Sequence, residues 1–228
     1  MKNERGQTLE QFLAAYSPKD YDRPSVTVDV VILTDTGEIL LIQRRDHPHL
    51  GQWALPGGFL NMDETLYDAA ARELREETGL SGVALRAIGM FAAPTRDPRT
   101  RVLTAAFAAT VAKNAMKVRP GDDAADAQWF RWTCQPTGCI EKIPAATQQD
   151  PLDIALPCTA YGEPLAKQGE GYLLTLKNQR ASLSAALAVD ANGVAVLLRS
   201  PAEGQEDAGI AGDHALIVFS ALRSMKTL

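Results

Sequence analysis

Three glutamates crowd into five residues of the stretch "GFLNMDETLYDAAARELREETGL", Gly58 to Leu80. Glu73, Glu76 and Glu77 stand at i, i+3 and i+4, which places them on one arc of a helix. Like charges at that spacing repel by about 0.2–0.5 kcal/mol per pair. A hard divalent cation reverses that cost. Mg²⁺ binds carboxylate oxygens at about 2.0–2.1 Å and keeps waters that substrate phosphates can replace. The competing reading of such a run is a solvated acidic face. Arg72 follows Asp68 and precedes Glu76 by four residues, so it can pair with either.

The helix that carries these acids has legible ends. Asn61 with Glu64 three residues on forms a capping-box pattern, with Asp63 the alternative cap. Gly79 suits the left-handed position after the last turn. At about 100° per residue, Tyr67, Ala70, Ala71, Leu74 and Thr78 share one arc, the predicted buried face.

The same segment follows the Nudix box: Gly, five residues, Glu, seven residues, then Arg-Glu-apolar-x-Glu-Glu-x-Gly-apolar. The matching positions are Gly58, Glu64, Arg72, Glu73, Leu74, Glu76, Glu77, Gly79 and Leu80. The chain therefore resembles the Nudix hydrolases. That resemblance implies an α/β fold, an α/β/α sandwich around a mixed sheet with the box as loop–helix–loop. It also implies hydrolysis of a nucleoside diphosphate linked to a second moiety, X. Carried onto this chain, the family's Mg²⁺ or Mn²⁺ site falls on Glu73, Glu76 and Glu77 with the carbonyl of Gly58. By the same resemblance Glu64 supports the site and Arg72 orients the glutamates.

The chemistry is consistent with that inference. A pyrophosphate is anionic and repels a nucleophile, and bound metal neutralises the charge and lowers the pKa of a bound water. A general base is also needed. The family takes it from a box glutamate or from an acid on a later loop. The turn "GDDAAD" offers Asp122, Asp123 and Asp126, though it also reads as a plain hairpin turn.

Outside the box, "FLAAYSPKDYDRPSVTVDVVILT", "LLIQRRDHPHLGQWALPGGF" and "PTRDPRTR" are similar to a branch that holds ADP-ribose pyrophosphatases. Nudix-related transcriptional regulators of NAD metabolism belong to the same branch. Three readings follow: an enzyme splitting ADP-ribose into AMP and ribose 5-phosphate, a DNA-binding sensor of ADP-ribose, or a Nudix enzyme for a nucleoside triphosphate, NADH or a sugar nucleotide. The regulators carry a winged helix after the last Nudix helix, whereas this sequence stops two residues after Lys226. The enzyme is therefore the expectation.

Arg96, Arg99 and Arg101 are the predicted phosphate contacts, because an arginine fork matches phosphate oxygens bidentately. A solvated loop with an internal pair to Asp97 is the alternative. Phe91 or Trp53 could stack on adenine, and either also fits a core position. His47 and His49 read as loop residues.

Positioning these groups requires a lead-in helix through Leu9, Phe12, Leu13 and Tyr16, then strands in "SVTVDVVIL", "ILLIQRR", "VALRAIGMF", "RVLTAAFAATV" and "AQWFRW". Residues 1–22 form the lead-in, 23–132 the Nudix domain, 133–209 an insertion and 210–228 the last Nudix helix, with Asp213 as its N-cap. The insertion departs from the family. It carries the β-rich stretches "GYLLTL", "SAALAV" and "VAVLL", the last two joined by the hairpin signal "DANG". These strands are too apolar to stand alone in water. They must bury a face against the Nudix core, a second subunit or the active-site cleft, and a dimer interface or the rim of the substrate site is the expectation.

Of 228 residues, 46% are hydrophobic and 22% charged, and the net charge is −5. An acidic balance argues against a general nucleic-acid binder, which carries a basic stripe. No apolar run approaches the roughly 20 residues of a membrane span. The N-terminus is too polar for a secretory signal. The expectation is a cytoplasmic protein with reduced cysteines acting on a small nucleotide. By resemblance, it is a homodimer.

Overall fold

The structure is a computed structural model that describes residues 2–113, 118, 124–140, 169–190, 193–199 and 209–227. Strand β1 (Ser25–Thr34) is its centre. Its β-branched residues are buried on both faces, as expected of a strand sandwiched between two layers. Val28, Val30 and Ile32 face one core, while Val31 and Leu33 face the other. Neighbouring β2 (Glu38–Arg44) repeats the split, with Leu40 on the first side and Ile39 and Leu41 on the second.

Two short strands, β3 (Trp53–Ala54) and β4 (Gly57–Phe59), pair with β2 and β1 respectively. Beyond them come β5 (Arg86–Phe91), β6 (Val102–Val111), β7 (Ala124–Ile140), β8 (Gly169–Lys177), β9 (Ser182–Asp190) and β10 (Ala195–Arg199). They form one mixed sheet in the order β10-β9-β8-β7-β2-β1-β6-β5. The β1–β6 pair is parallel, from Ser25 beside Val102 to Thr34 beside Val111.

Helix α2 (Leu66–Thr78) covers one face of the sheet through Ala69, Ala70 and Leu74. Helix α3 (His214–Ser224) lies on the other face. This is the expected α/β/α sandwich. Residues Ala215 to Leu222 of α3 are all buried. A helix apolar all round needs cover on every side. The sheet supplies it by curling: α3 packs against β5 at one end of the strand order and β10 at the other.

The insertion's strands are part of that wrap. Strand β7 runs straight through the expected boundary at 132/133, and β8 pairs with it from Arg131–Lys177 to Ile140–Gly169. Leu174, Leu176, Leu183, Ala185 and Leu187 pack in the same core as Leu216 and Phe219. Apolar residues of these strands thus pack in the Nudix core with α3, one of the burial sites the sequence pattern allows.

The lead-in helix α1 (Leu9–Ala15) forms behind a Thr8–Gln11 capping box, but buries none of its residues. Leu9, Phe12 and Leu13 remain exposed. Cys134 is a free thiol whose pKa burial pushes up to about 11, so it stays protonated at neutral pH. Cys158 lies outside the described residues.

Candidate active site

The box helix begins later than its sequence predicts. Thr65 is the N-cap of α2, in a capping box with Asp68, so neither Asn61 nor Asp63 caps it. The Asn61–Glu64 contact exists one turn earlier: the Asn61 N–H donates to Glu64 Oε1 at 2.7 Å and shapes the incoming loop. Gly79 ends the helix in the left-handed region, with φ 74°, as predicted. The buried face is Ala69, Ala70, Leu74 and Thr78. Ala71 is half-buried and Tyr67 exposed, because the face rotates slightly toward Ala69 to meet β1.

Arg72 organises the acids. It donates to Glu64 at 2.6 and 2.9 Å, to Glu73 at 2.7 Å, to Glu76 at 3.2 Å and to the Phe59 carbonyl at 3.0 Å. Asp68, occupied by the cap, is not its partner. The Arg72 fork, helped by the Asn61 N–H, pulls the Glu64 carboxyl down to about 2. Burial pushes Glu73 up, and Arg72 opposes it.

Glu77 is the most buried of the three. It accepts from the Gly57 N–H at 2.8 Å. Burial raises its pKa to about 8; Glu73 and Asp29 add to the rise, while the Gly57 bond and Arg44 oppose it. Glu76 is half-exposed and also meets Arg75 at 3.4 Å. Among the described residues no three His, Cys, Asp or Glu side chains are gathered as a ready metal-holding group. What the box does bring together is Glu73, Glu77 and the main chain at Gly57–Gly58, all lining one cavity of about 570 Å³. A Cβ on Gly58 would run into the Glu73 carboxylate, so any larger residue there would push that carboxylate off Arg72. The donors are hard oxygens with surplus negative charge, which fits a divalent cation such as Mg²⁺ or Mn²⁺ in kind.

The far wall of the cavity comes from other elements. Asp29 lies on β1, 6% exposed, and accepts from Thr104 Oγ1 at 2.7 Å. Arg96 Nε and Nη2 donate to the two oxygens of Asp213 at 2.9 and 2.8 Å, and Nη2 lies 3.6 Å from Asp29. His214 Nδ1 accepts the Leu55 N–H at 2.9 Å, which leaves its ring proton on Nε2, 3.7 Å from Asp29 Oδ1. The lead-in to α3 is pinned to β3 by main-chain bonds from Trp53 to Gly209 and from Ala211 to Trp53. That tether sets Asp213 and His214 at the cavity.

Of the predicted phosphate contacts, Arg96 lines the cavity but is buried, with its fork on Asp213, which ties the start of α3 to β1. Asp213 stands at the N-cap position but makes no capping bond, its carboxylate being held by Arg96. Arg99 is paired with Asp97 at 3.0 and 2.7 Å, as the alternative loop reading has it. Arg101 donates to the Ala92 carbonyl. Phe91 and Trp53 are 2% and 5% exposed, core residues with no face for a base. Asp126 is bound by Arg180 at 2.8 Å and Gln128 at 2.9 Å, and does not line the cavity. Asp122 and Asp123 lie outside the described residues.

Among the cavity residues that escaped sequence reasoning are Asp29, Arg44 and His214. Asp29 left a signal, a lone acid within an apolar strand. Arg44 gives Nε to the Pro48 carbonyl at 2.7 Å and has no carboxylate partner among the described residues. His49, beside it, holds a left-handed backbone at φ 65°. Burial, then His214 and Arg44, lower the His49 pKa.

Residues 23–134 match the NUDIX domain family. Over 110 residues the chain is 42% identical to an ADP-ribose pyrophosphatase of Methanocaldococcus jannaschii, covering 48% of this chain and 63% of that protein. The chain thus spans less than two thirds of that relative's length. A MutT/nudix family protein from Enterococcus faecalis superposes with a TM-score of 0.63 at 26% identity, over 98% of this chain and 71% of that one. The NUDIX domain of Shewanella oneidensis NrtR, solved with ADP ribose, gives 0.50 at 31% identity, over 54% of this chain and 82% of that domain. The box helix, the curled mixed sheet between two helices and these matches agree: the chain belongs to the Nudix family.

Proposed function

We propose that this chain hydrolyses the pyrophosphate bond of a nucleoside diphosphate linked to X, with ADP-ribose giving AMP and ribose 5-phosphate. The observation that carries the reading is that the acids Glu73, Glu77 and Asp29 line one cavity together with the guanidinium of Arg44. A pyrophosphate and a divalent cation together complement such a mixture of acids and a guanidinium. The 42% identity to an ADP-ribose pyrophosphatase supports ADP-ribose as the substrate.

Glu73 and Glu77, with Glu76 beside them on Arg72 and the main chain at Gly58, would hold Mg²⁺ or Mn²⁺, which supplies charge neutralisation for the phosphates and a bound water of lowered pKa. Arg72 fixes the Glu73 carboxylate, and Glu64 fixes Arg72, so the acids are positioned before substrate arrives. Glu77, with a pKa near 8 in the metal-free protein, carries a proton at neutral pH. It must release that proton to become a ligand, so metal affinity rises with pH up to about 8. Arg44 offers its terminal nitrogens to a phosphate oxygen, as a guanidinium fork does best. The Asp29–His214 pair holds the opposite wall in a single tautomer.

The reading includes a cytoplasmic homodimer that acts on a small nucleotide and needs no nucleic acid. A net charge of −5 supports the last point. No helix among the described residues is long and apolar enough to cross a membrane. The test is a panel of ADP-ribose, NADH, sugar nucleotides and nucleoside triphosphates with purified protein and Mg²⁺. AMP from ADP-ribose is the expected product. Rapid pyrophosphate release from a triphosphate, with ADP-ribose untouched, would replace the proposed substrate.

A further inference from the structure

Phe59 lines the cavity and is 46% exposed, whereas Phe91 and Trp53 are buried. It carries the only phenyl or indole ring among the described residues of that lining. The main chain here is fixed. Phe59 pairs with Thr27 in the β1–β4 ladder, its carbonyl accepts from Arg72 at 3.0 Å, and the next N–H, of Leu60, donates to Val26.

The ring is also held from one side. The Arg99 guanidinium lies 5.4 Å from its centroid, and Asp97 grips that guanidinium through both oxygens. Arg99 and Asp97 line the same cavity. The residue before Phe59, Gly58, touches the Glu73 carboxylate. An aromatic surface therefore sits one residue from the acidic centre, part-exposed and braced by Asp97–Arg99.

We propose that Phe59, braced by Arg99, is the stacking platform for the nucleobase of the substrate. The inference rests on the nucleotide reading above and names where the base goes. It assigns Arg99 to the ring, in place of the phosphate contact predicted from its loop. Stacking on an aromatic ring needs only a π-face, so the platform favours nucleotides over sugar phosphates without choosing strongly among bases.

The test is calorimetric binding of AMP and, separately, ribose 5-phosphate to the full chain with Mg²⁺, neither of which contains a bond to be cleaved. Phe59→Ala should weaken AMP about tenfold and leave ribose 5-phosphate unchanged. Phe59→Trp should restore AMP binding and show quenching of the new indole fluorescence. Unchanged AMP affinity in Phe59→Ala, an equal loss for both ligands, or no AMP binding by the unaltered chain would each overturn the platform. If AMP binding depends on Phe59 while ADP-ribose is not hydrolysed, the platform stands and the proposed activity falls.

Discussion

Replacing Glu77 by Gln tests the electrostatics of the box in two directions at once. The native carboxyl has a pKa near 8 in the folded, metal-free chain, against an ordinary value of 4.5. Below the lower value both folded and unfolded chains are protonated there, and Glu77 costs nothing. Between the two values the unfolded chain ionises first, so stability falls as pH rises, and above the higher value the loss is complete. Going from pH 5 to pH 8, the loss is about 3 kcal/mol. Gln keeps an oxygen to accept the Gly57 N–H and cannot ionise. Metal-free Glu77→Gln should therefore hold its stability over that range and gain on the native chain by about 3 kcal/mol at the alkaline end. Urea titrations of chelator-treated protein at the two pH values measure this directly. With Mg²⁺ the order should reverse. The native chain gains stability by mass action, the variant gains less, and its turnover drops about a hundredfold or more. Parallel pH profiles for the two proteins would refute the burial argument. Full activity in the variant would remove Glu77 from the metal site.

Two further perturbations address the scaffold. Arg96→Ala leaves Asp213 and Asp29 buried without their cation and should cost about 3–5 kcal/mol of stability, read from urea midpoints. Arg96→Lys should recover only part, since a lysine cannot reproduce the fork. Leu187→Ala, on a fully buried β9 side chain against α3, should cost about 2–5 kcal/mol; an effect near zero would mean the extra strands do not cover that helix.

Much of the molecule is legible in sequence because the signals are local. The i, i+3, i+4 spacing puts Glu73, Glu76 and Glu77 on adjacent positions of one helix wherever that helix lies. Gly79 announces its end, and the β-branched run from Ser25 announces β1. Even the insertion's strands stand out by composition. Other local signals misled, because a competing partner was closer. Asp68 reaches Thr65 and so moves the cap, and Asp213 meets Arg96 and so leaves the N-cap unbonded. The arginines of the loop around Asp97 face phosphate on paper, but each finds an acceptor within the protein.

Only the tertiary structure decides which residues share the cavity. Asp29 and His214 come from the first strand and the last helix, and no periodicity links positions so far apart. They meet because α3, apolar on every side, must be wrapped by the sheet, and the main chain of Trp53 clamps the segment that precedes it. The insertion's strands join that wrap, with β8 to β10 adding cover to α3 beyond that of β5.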